Sequence, residues 1–272
     1  MKYSDGFEIF NVCTSNPDIT ISDDMEYFWY TEFANIKSTK GGVGGSLLHG
    51  NYKFFDIDGD LRIDMNYKLG IEHGNETRWD SVGNIISKST YDNGILKYHK
   101  YLNENDHWLE FIGEIFKEGC IKNVYSKYGT LLSKETFLKD LRRSVIQYYE
   151  YPANKIQAEF TIHIGDSYHG LYRTYYKNGN TEVEGQFHDD IFAGNIRVGE
   201  WRWYSEDGTL ESEAKYKAEL EYWENGEIKV VGGYIYDTDA NTWVRIGEWE
   251  WWNQQGSFIE SKEYEWGIEI KK

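Results

Sequence analysis

Apolar residues along this chain fall in short runs that are cut, at nearly constant intervals, by a glycine beside Asp, Asn or Ser. The clearest case starts at His49, where HGNYKFFDIDGDLRIDMNYKLGIE is followed at once by HGNETRWDSVGNIISKSTYDNGIL. Gly50, Gly59, Tyr67 and Gly70 recur 24 residues later as Gly74, Gly83, Tyr91 and Gly94, and His49 recurs as His73. The template is a glycine, an aromatic five residues on, a second glycine at nine, an aliphatic residue at eleven and an aromatic at seventeen. Gly170, Tyr175, Gly179 and Phe187 fit it, as do Gly199, Tyr204, Gly208, Leu210 and Tyr216, and then Gly247, Trp252, Gly256, Phe258 and Tyr264. Tyr125–Phe137 and Tyr222–Tyr234 keep its second half, so the chain holds five full units and two half units. Fixed spacing at this period marks an internal repeat.

Each unit is an aromatic run, a turn (DIDG, DSVG, KNGN, EDGT or QQGS) and a second run that ends in an aromatic. Glycine beside Asp or Asn suits a positive-φ turn position and aromatics suit strands, which predicts one β-hairpin per unit. A lone hairpin is marginal in water, so the hairpins must join. The expected fold is mostly β: tandem hairpins forming an elongated antiparallel sheet. Aromatics at positions two and five after the opening glycine are Tyr52 and Phe55, Tyr172 and Tyr175, Trp201 and Tyr204, and Trp249 and Trp252. An odd offset places such a pair on opposite faces of a regular strand. Either a bulge turns one back, or both faces carry aromatics and the second is covered by an insertion or a partner.

The G-x-Y/W-x-x-Y/W opening, the n-G-x-L turn and the closing Y-x-x-G of Tyr67–Gly70, Tyr91–Gly94 and Tyr264–Gly267 resemble the MORN-type repeat, in the bacterial variant of YwqK-family antitoxin-like proteins. The resemblance covers about residues 46–272 with gaps. It implies a repeat scaffold with an antitoxin or immunity role; the alternative is a scaffold protein with no toxin partner, and behind both stands an enzyme acting on a carbohydrate or nucleotide. On this reading residues 1–45 are an N-terminal cap with a glycine-rich connector, and residues 46–272 are the hairpin array, degenerate at about 97–169.

Outside the clear repeats the pattern is mixed. MEYFWYTEFANI, Met25–Ile36, reads as a strand or a short helix that caps the array. GGVGGS, Gly41–Ser46, lacks the Lys and hydroxyl residue that a phosphate loop needs and reads as a flexible connector. Trp108–Cys120 reads as strand, and Lys155–Ile164 alternates as a half-buried strand. Ser133–Tyr149 leaves room for one short helix, with Phe137, Leu141 and Val145 spaced by four and Ser133 placed to cap. Phe137 equally serves as the closing aromatic of a repeat.

Candidate chemistry is sparse. Asp56, Asp58 and Asp60 resemble a calcium loop, but the glycine is misplaced and no glutamate closes the frame. His49, His73 and His169 each precede an opening glycine, which points to a role in the repeat rather than in a metal site. No nucleophile elbow, phosphate loop or Ser-His-Asp motif is present. The expectation is a protein without catalytic residues, metal or cofactor. Two cysteines, no readable signal peptide and no apolar run of membrane length predict a soluble cytoplasmic protein.

Charge adds one functional lead. The net charge of -17 disfavours nucleic acid and anionic membranes as partners and favours a basic protein, although solubility alone would also account for it. From Gly199 onward there are 17 acidic and 8 basic residues, together with eight of the eleven tryptophans. In GEWRWY and GEWEWW, carboxylates alternate with indoles. Glu200, Trp201, Trp203, Trp223, Glu248, Trp249, Glu250 and Trp251 are therefore candidates for a surface that holds a basic protein, such as a toxin, by aromatic anchors and charge. The competing reading makes the tryptophans core and the carboxylates their solvated rows.

Overall fold

A computed structural model describes residues 5–15, 17–32, 35–163, 166–190 and 192–271. The chain is nearly all β and divides into two compact units, Met1–Gly129 and Thr130–Lys272. No α-helix occurs among the described residues.

In the first unit the strands Ser46–Asp56, Leu61–Lys68, Gly74–Trp79, Ile85–Asp92, Ile95–Leu102, Trp108–Ile112 and Ile121–Tyr125 form an antiparallel meander. The N-terminal strand Gly6–Val12 lies antiparallel along Ser46–Asp56. Glu26–Tyr30 pairs with Lys37–Lys40 and with the start of Ser46–Asp56. MEYFWYTEFANI thus contributes a strand, and its Phe33 and Ala34 lie outside the described residues. Phe10, Val12, Phe28 and Tyr30 pack on Leu48, Met65 and Tyr67, so the N-terminal segment covers the inner face of the first repeat. The glycine run leading into Ser46 serves close packing: a Cβ on Gly44 would meet the Trp29 indole at 2.6 Å, and one on Gly45 the Tyr30 carbonyl at 2.3 Å.

The second unit is a meander from Leu131–Phe137 through Arg143–Tyr148, Ile156–Ile162, Tyr168–Tyr175, Thr181–Phe187, Arg197–Tyr204, Leu210–Tyr222, Ile228–Asp237, Thr242–Trp252 and Phe258–Glu265 to Ile268–Ile270. The helix considered over Ser133–Tyr149 does not form. Phe137 closes a hairpin opposite Arg143, and Asp140 and Leu141 reverse the chain at φ 57° and 61°. A helix would have buried Leu141 beside Val145, whereas Leu141 is 64% exposed and Val145 is 5% exposed. Of Trp108–Cys120 only Trp108–Ile112 is strand, and of Lys155–Ile164 the strand is Ile156–Ile162, with Ile164 outside the described residues.

The repeated turns are built alike. Asp56 Oδ1 accepts the backbone N–H groups of Asp58 and Asp60, and Asp80 Oδ1 those of Val82 and Asn84, with Gly59 and Gly83 at positive φ. The aspartate that opens DIDGD therefore serves the turn, and the amides directed at Asp56 hold its carboxyl below the usual range. His49 and His73 play the same part in their repeats, since their Nδ1 atoms accept the N–H of Leu69 and Asn93, each twenty residues on at a left-handed position.

A register shift precedes the turn in every full repeat, between Phe54 and Phe55, Arg78 and Trp79, Thr174 and Tyr175, Trp203 and Tyr204, and Trp251 and Trp252. Both faces nevertheless carry aromatics. Tyr172 and Trp201 pack around Phe187, while the Tyr175 and Tyr204 hydroxyls reach Glu159 and Glu184 on the other face. The insertion after Phe187 adds a cluster of its own, in which Ala193 and Ile196 pack with Leu220, Ile228, Val231 and Trp252.

A candidate partner-binding groove

Two repeats in the second unit build their core the same way. Trp201 and Trp249 are each 1% exposed, and each lies flat against a glycine of the preceding strand. A Cβ on Gly185 would come within 2.1 Å of the Trp201 ring, and one on Gly232 within 2.2 Å of Trp249. The indoles donate to the carbonyls of Gln186 and Gly233 at 3.1 Å each. Arg197 stands over Trp201 at 4.6 Å and Arg245 over Trp249 at 4.4 Å, each also facing Tyr216 or Tyr264. These cation–π contacts bury the indoles together with Tyr172 and Phe187 around Trp201 and Tyr234 beside Trp249.

Trp201 and Trp249 are thus core and offer a partner nothing, which corrects their candidacy as surface anchors. Large apolar area suits core and interface alike, and for a single tryptophan the sequence already leans to core; the glycine on the neighbouring strand decides for it. Trp203 and Trp251 are half-buried beside them, 6.2 and 6.1 Å between ring centres. Trp223 is a stitch between hairpins, its indole N–H donating to the Trp252 carbonyl at 3.0 Å, as the Tyr176 hydroxyl does to that of Tyr204 at 2.7 Å.

The carboxylates lie on the opposite face, and there the two repeats diverge. In the first, Glu200 faces Lys215 across the strands and Arg202 faces Glu213. Arg202 is 2.7 Å from Glu200 and 3.9 Å from Glu213, and Lys215 is 3.6 Å from Glu200. In the second, the corresponding pairs are Glu248 facing Glu263 and Glu250 facing Ser261. Both cations are gone. Among the described residues neither Glu248 nor Glu250 has an ion pair, and burial, then the neighbouring Glu248, pushes the Glu250 carboxyl above its ordinary range. Like charges opposed across a sheet are destabilising, and here Lys262 and Lys271 line a recess with Glu248 and Glu263 without an ion pair to Glu248 among the described residues.

Glu248 and Glu250 line a groove of about 470 Å³. Its walls include Ile196, Val231 and Ile246, and Phe192 stands at its edge, 59% exposed. Arg197 also reaches it but is committed to its aromatic stack. The structure therefore brings Glu248 and Glu250 to one site and leaves Glu200 in an ion-pair network apart from it. Ile196, Val231, Ile246 and Phe192 are not singled out by the sequence. The signal available there is the exchange of Arg202 for Glu250 and Lys215 for Glu263 between aligned repeats.

Fold and groove define a tandem β-hairpin repeat protein with an aliphatic and acidic recess. Residues 168–189 and 197–218 match the MORN repeat variant. No curated protein matches the chain. Repeats of this kind point to a binding or scaffolding role.

Proposed function

We propose that this is a non-catalytic binding protein of the antitoxin or immunity kind, which neutralises a basic toxin in the cytoplasm by holding it at the Glu248–Glu250 groove. The observation that carries the reading is the loss of both cations between equivalent repeats, which leaves two carboxylates beside an aliphatic wall. A basic partner segment would supply the missing Lys or Arg, with its methylene stem along Val231 and Ile246. The resemblance to antitoxin-like repeat proteins supports the toxin as partner, and the free Cys13 and Cys120 suit a reducing compartment. Blocking a toxin requires a tight, complementary surface and no chemistry of its own.

The test is affinity capture from the native host at moderate and high salt, followed by co-expression of the captured protein with and without the repeat protein. One basic protein retained in near-equal amount, harmful alone and harmless in the complex, is the expected result. Glu248→Gln with Glu250→Gln should weaken the complex about tenfold or more. A captured partner that binds this double variant as well as wild type rules the groove out. A harmless partner leaves a scaffolding role instead.

A further inference from the structure

A second recess, in the first unit and independent of the acidic groove, has the opposite chemistry. It measures about 650 Å³ and is lined by Lys88, Lys100 and Lys127 with Trp108, Tyr125 and Tyr128. In a chain of net charge -17, three lysines converge on one cavity. Lys88 and Lys100 are directly opposed on neighbouring strands, an arrangement that costs stability unless an anion lies between them. Lys100 has Glu110 at 3.8 Å, whereas Lys88 and Lys127 have no ion pair among the described residues.

Glu110 does not cancel the site. It accepts hydrogen bonds from the Tyr98 hydroxyl at 3.2 Å, Asn123 at 2.9 Å and the Tyr125 hydroxyl at 2.8 Å. Burial opposes its charge, but these donors together with the Lys100 charge outweigh burial and hold its carboxyl below the usual range. One carboxylate thus orients the Tyr98 and Tyr125 rings and offsets one lysine, and two positive charges remain.

The walls are aromatic. Trp108 and Tyr125 stand opposite each other across adjacent strands, and Tyr128 is 81% exposed at the rim. Lys100 lies 4.7 Å from the Tyr125 ring and Lys127 5.1 Å from that of Tyr128. A free phosphate would meet the lysines alone and leave most of the cavity beside Trp108 unfilled, and a neutral aromatic would leave the lysines uncompensated. We propose that this recess binds a small phosphorylated aromatic molecule of the mononucleotide class, its ring against Trp108 and Tyr125 and its phosphate between Lys88, Lys100 and Lys127. The cavity lies within the roughly 300–1,000 Å³ of small-ligand sites. A nucleic-acid polymer would have to extend over the acidic remainder of the chain, while a single nucleotide feels mainly charges within about 8 Å at physiological salt.

Calorimetric titration of the full chain with adenosine monophosphate tests this, with inorganic phosphate, adenosine and a short single-stranded oligonucleotide as separate arms. The monophosphate should bind about tenfold or more tightly than phosphate or adenosine, and more weakly as salt rises. Lys88→Gln with Lys127→Gln, both exposed positions, should raise its Kd about tenfold or more and flatten the salt dependence. Trp108→Leu should weaken adenosine monophosphate while leaving phosphate unchanged. Absence of binding, equal binding of phosphate, an unchanged Kd in the lysine variant, or tighter binding of the oligonucleotide would each overturn the proposal.

Discussion

The second position after the opening glycine sets one repeat of the first unit apart from those of the second. In the second unit it is Tyr172, Trp201 and Trp249; in the first it is Tyr52 and then Glu76, a carboxylate only 3% exposed. The register explains how one backbone accepts both. Asp64 pairs with Thr77, Glu184 with Arg202 and Val231 with Glu250, which makes Met65, Gly185 and Gly232 equivalent residues beside Glu76, Trp201 and Trp249. Where the neighbouring strand supplies glycine, the indole lies on its backbone. Where it supplies buried Met65, the position holds a slimmer polar chain, kept by Arg78 at 2.5 Å and the Tyr91 hydroxyl at 3.3 Å. Packing in this array is thus decided by pairs of residues on adjacent hairpins, within a constant hydrogen-bond frame.

The sharpest way to break that comparison is to empty the indole site. Trp249→Ala should cost about 3–5 kcal/mol, read as a fall in the urea midpoint at unchanged slope. A cost under about 1 kcal/mol would mean that the strand pairing and the Arg245–Tyr264 stack hold the repeat without the indole. Next, Gly232→Ala should cost about 2–4 kcal/mol, because the new methyl meets the ring, and adding Trp249→Leu should recover part of that loss. Strictly additive effects would show that the two sites do not share a volume.

In the first unit, Arg78→Met leaves Glu76 buried beside only a tyrosine hydroxyl and should cost about 1–3 kcal/mol. The same truncation of Arg202, whose partner Glu200 is exposed, should cost under about 1 kcal/mol. The smallest effect concerns Glu250. Its raised carboxyl holds a proton more readily folded than unfolded, so its contribution is fully present below the unfolded pKa and is lost as pH rises through the folded one. Glu250→Gln should therefore raise the midpoint temperature at pH 7 by about 1–2 °C and leave it unchanged near a pH of about 3. A stabilisation of equal size at both pH values would point to packing instead of charge.

The hairpin array is legible because its turns reuse glycine. Residues 97–169 also form antiparallel strands, yet several of their turns place Asp106, Asp140, Leu141 and Asn154 at positive φ, so a glycine template passes over those turns. Ser133–Tyr149 shows the same blindness: a spacing of four also arises when two short strands flank a turn. Of the site, the acidic residues can be read, because Glu248 and Glu250 stand two apart and so share a strand face. The fate of the tryptophans cannot, since it depends on Gly185 and Gly232, which look like further turn glycines in EVEGQF and VVGGYI. Only strand pairing places them under an indole.

The indole resting on a glycine of the strand before it also gives the array a direction. A hairpin that opens with Gly-Glu-Trp can follow a strand with glycine in the matching place, as Thr181–Phe187 and Ile228–Asp237 provide, and would clash behind Leu61–Lys68 with its Met65. The hairpins are therefore closer to dominoes than to beads. Lengthening or shuffling such a protein by gene duplication succeeds only where the joined faces match, and each accepted copy limits which copy can come next.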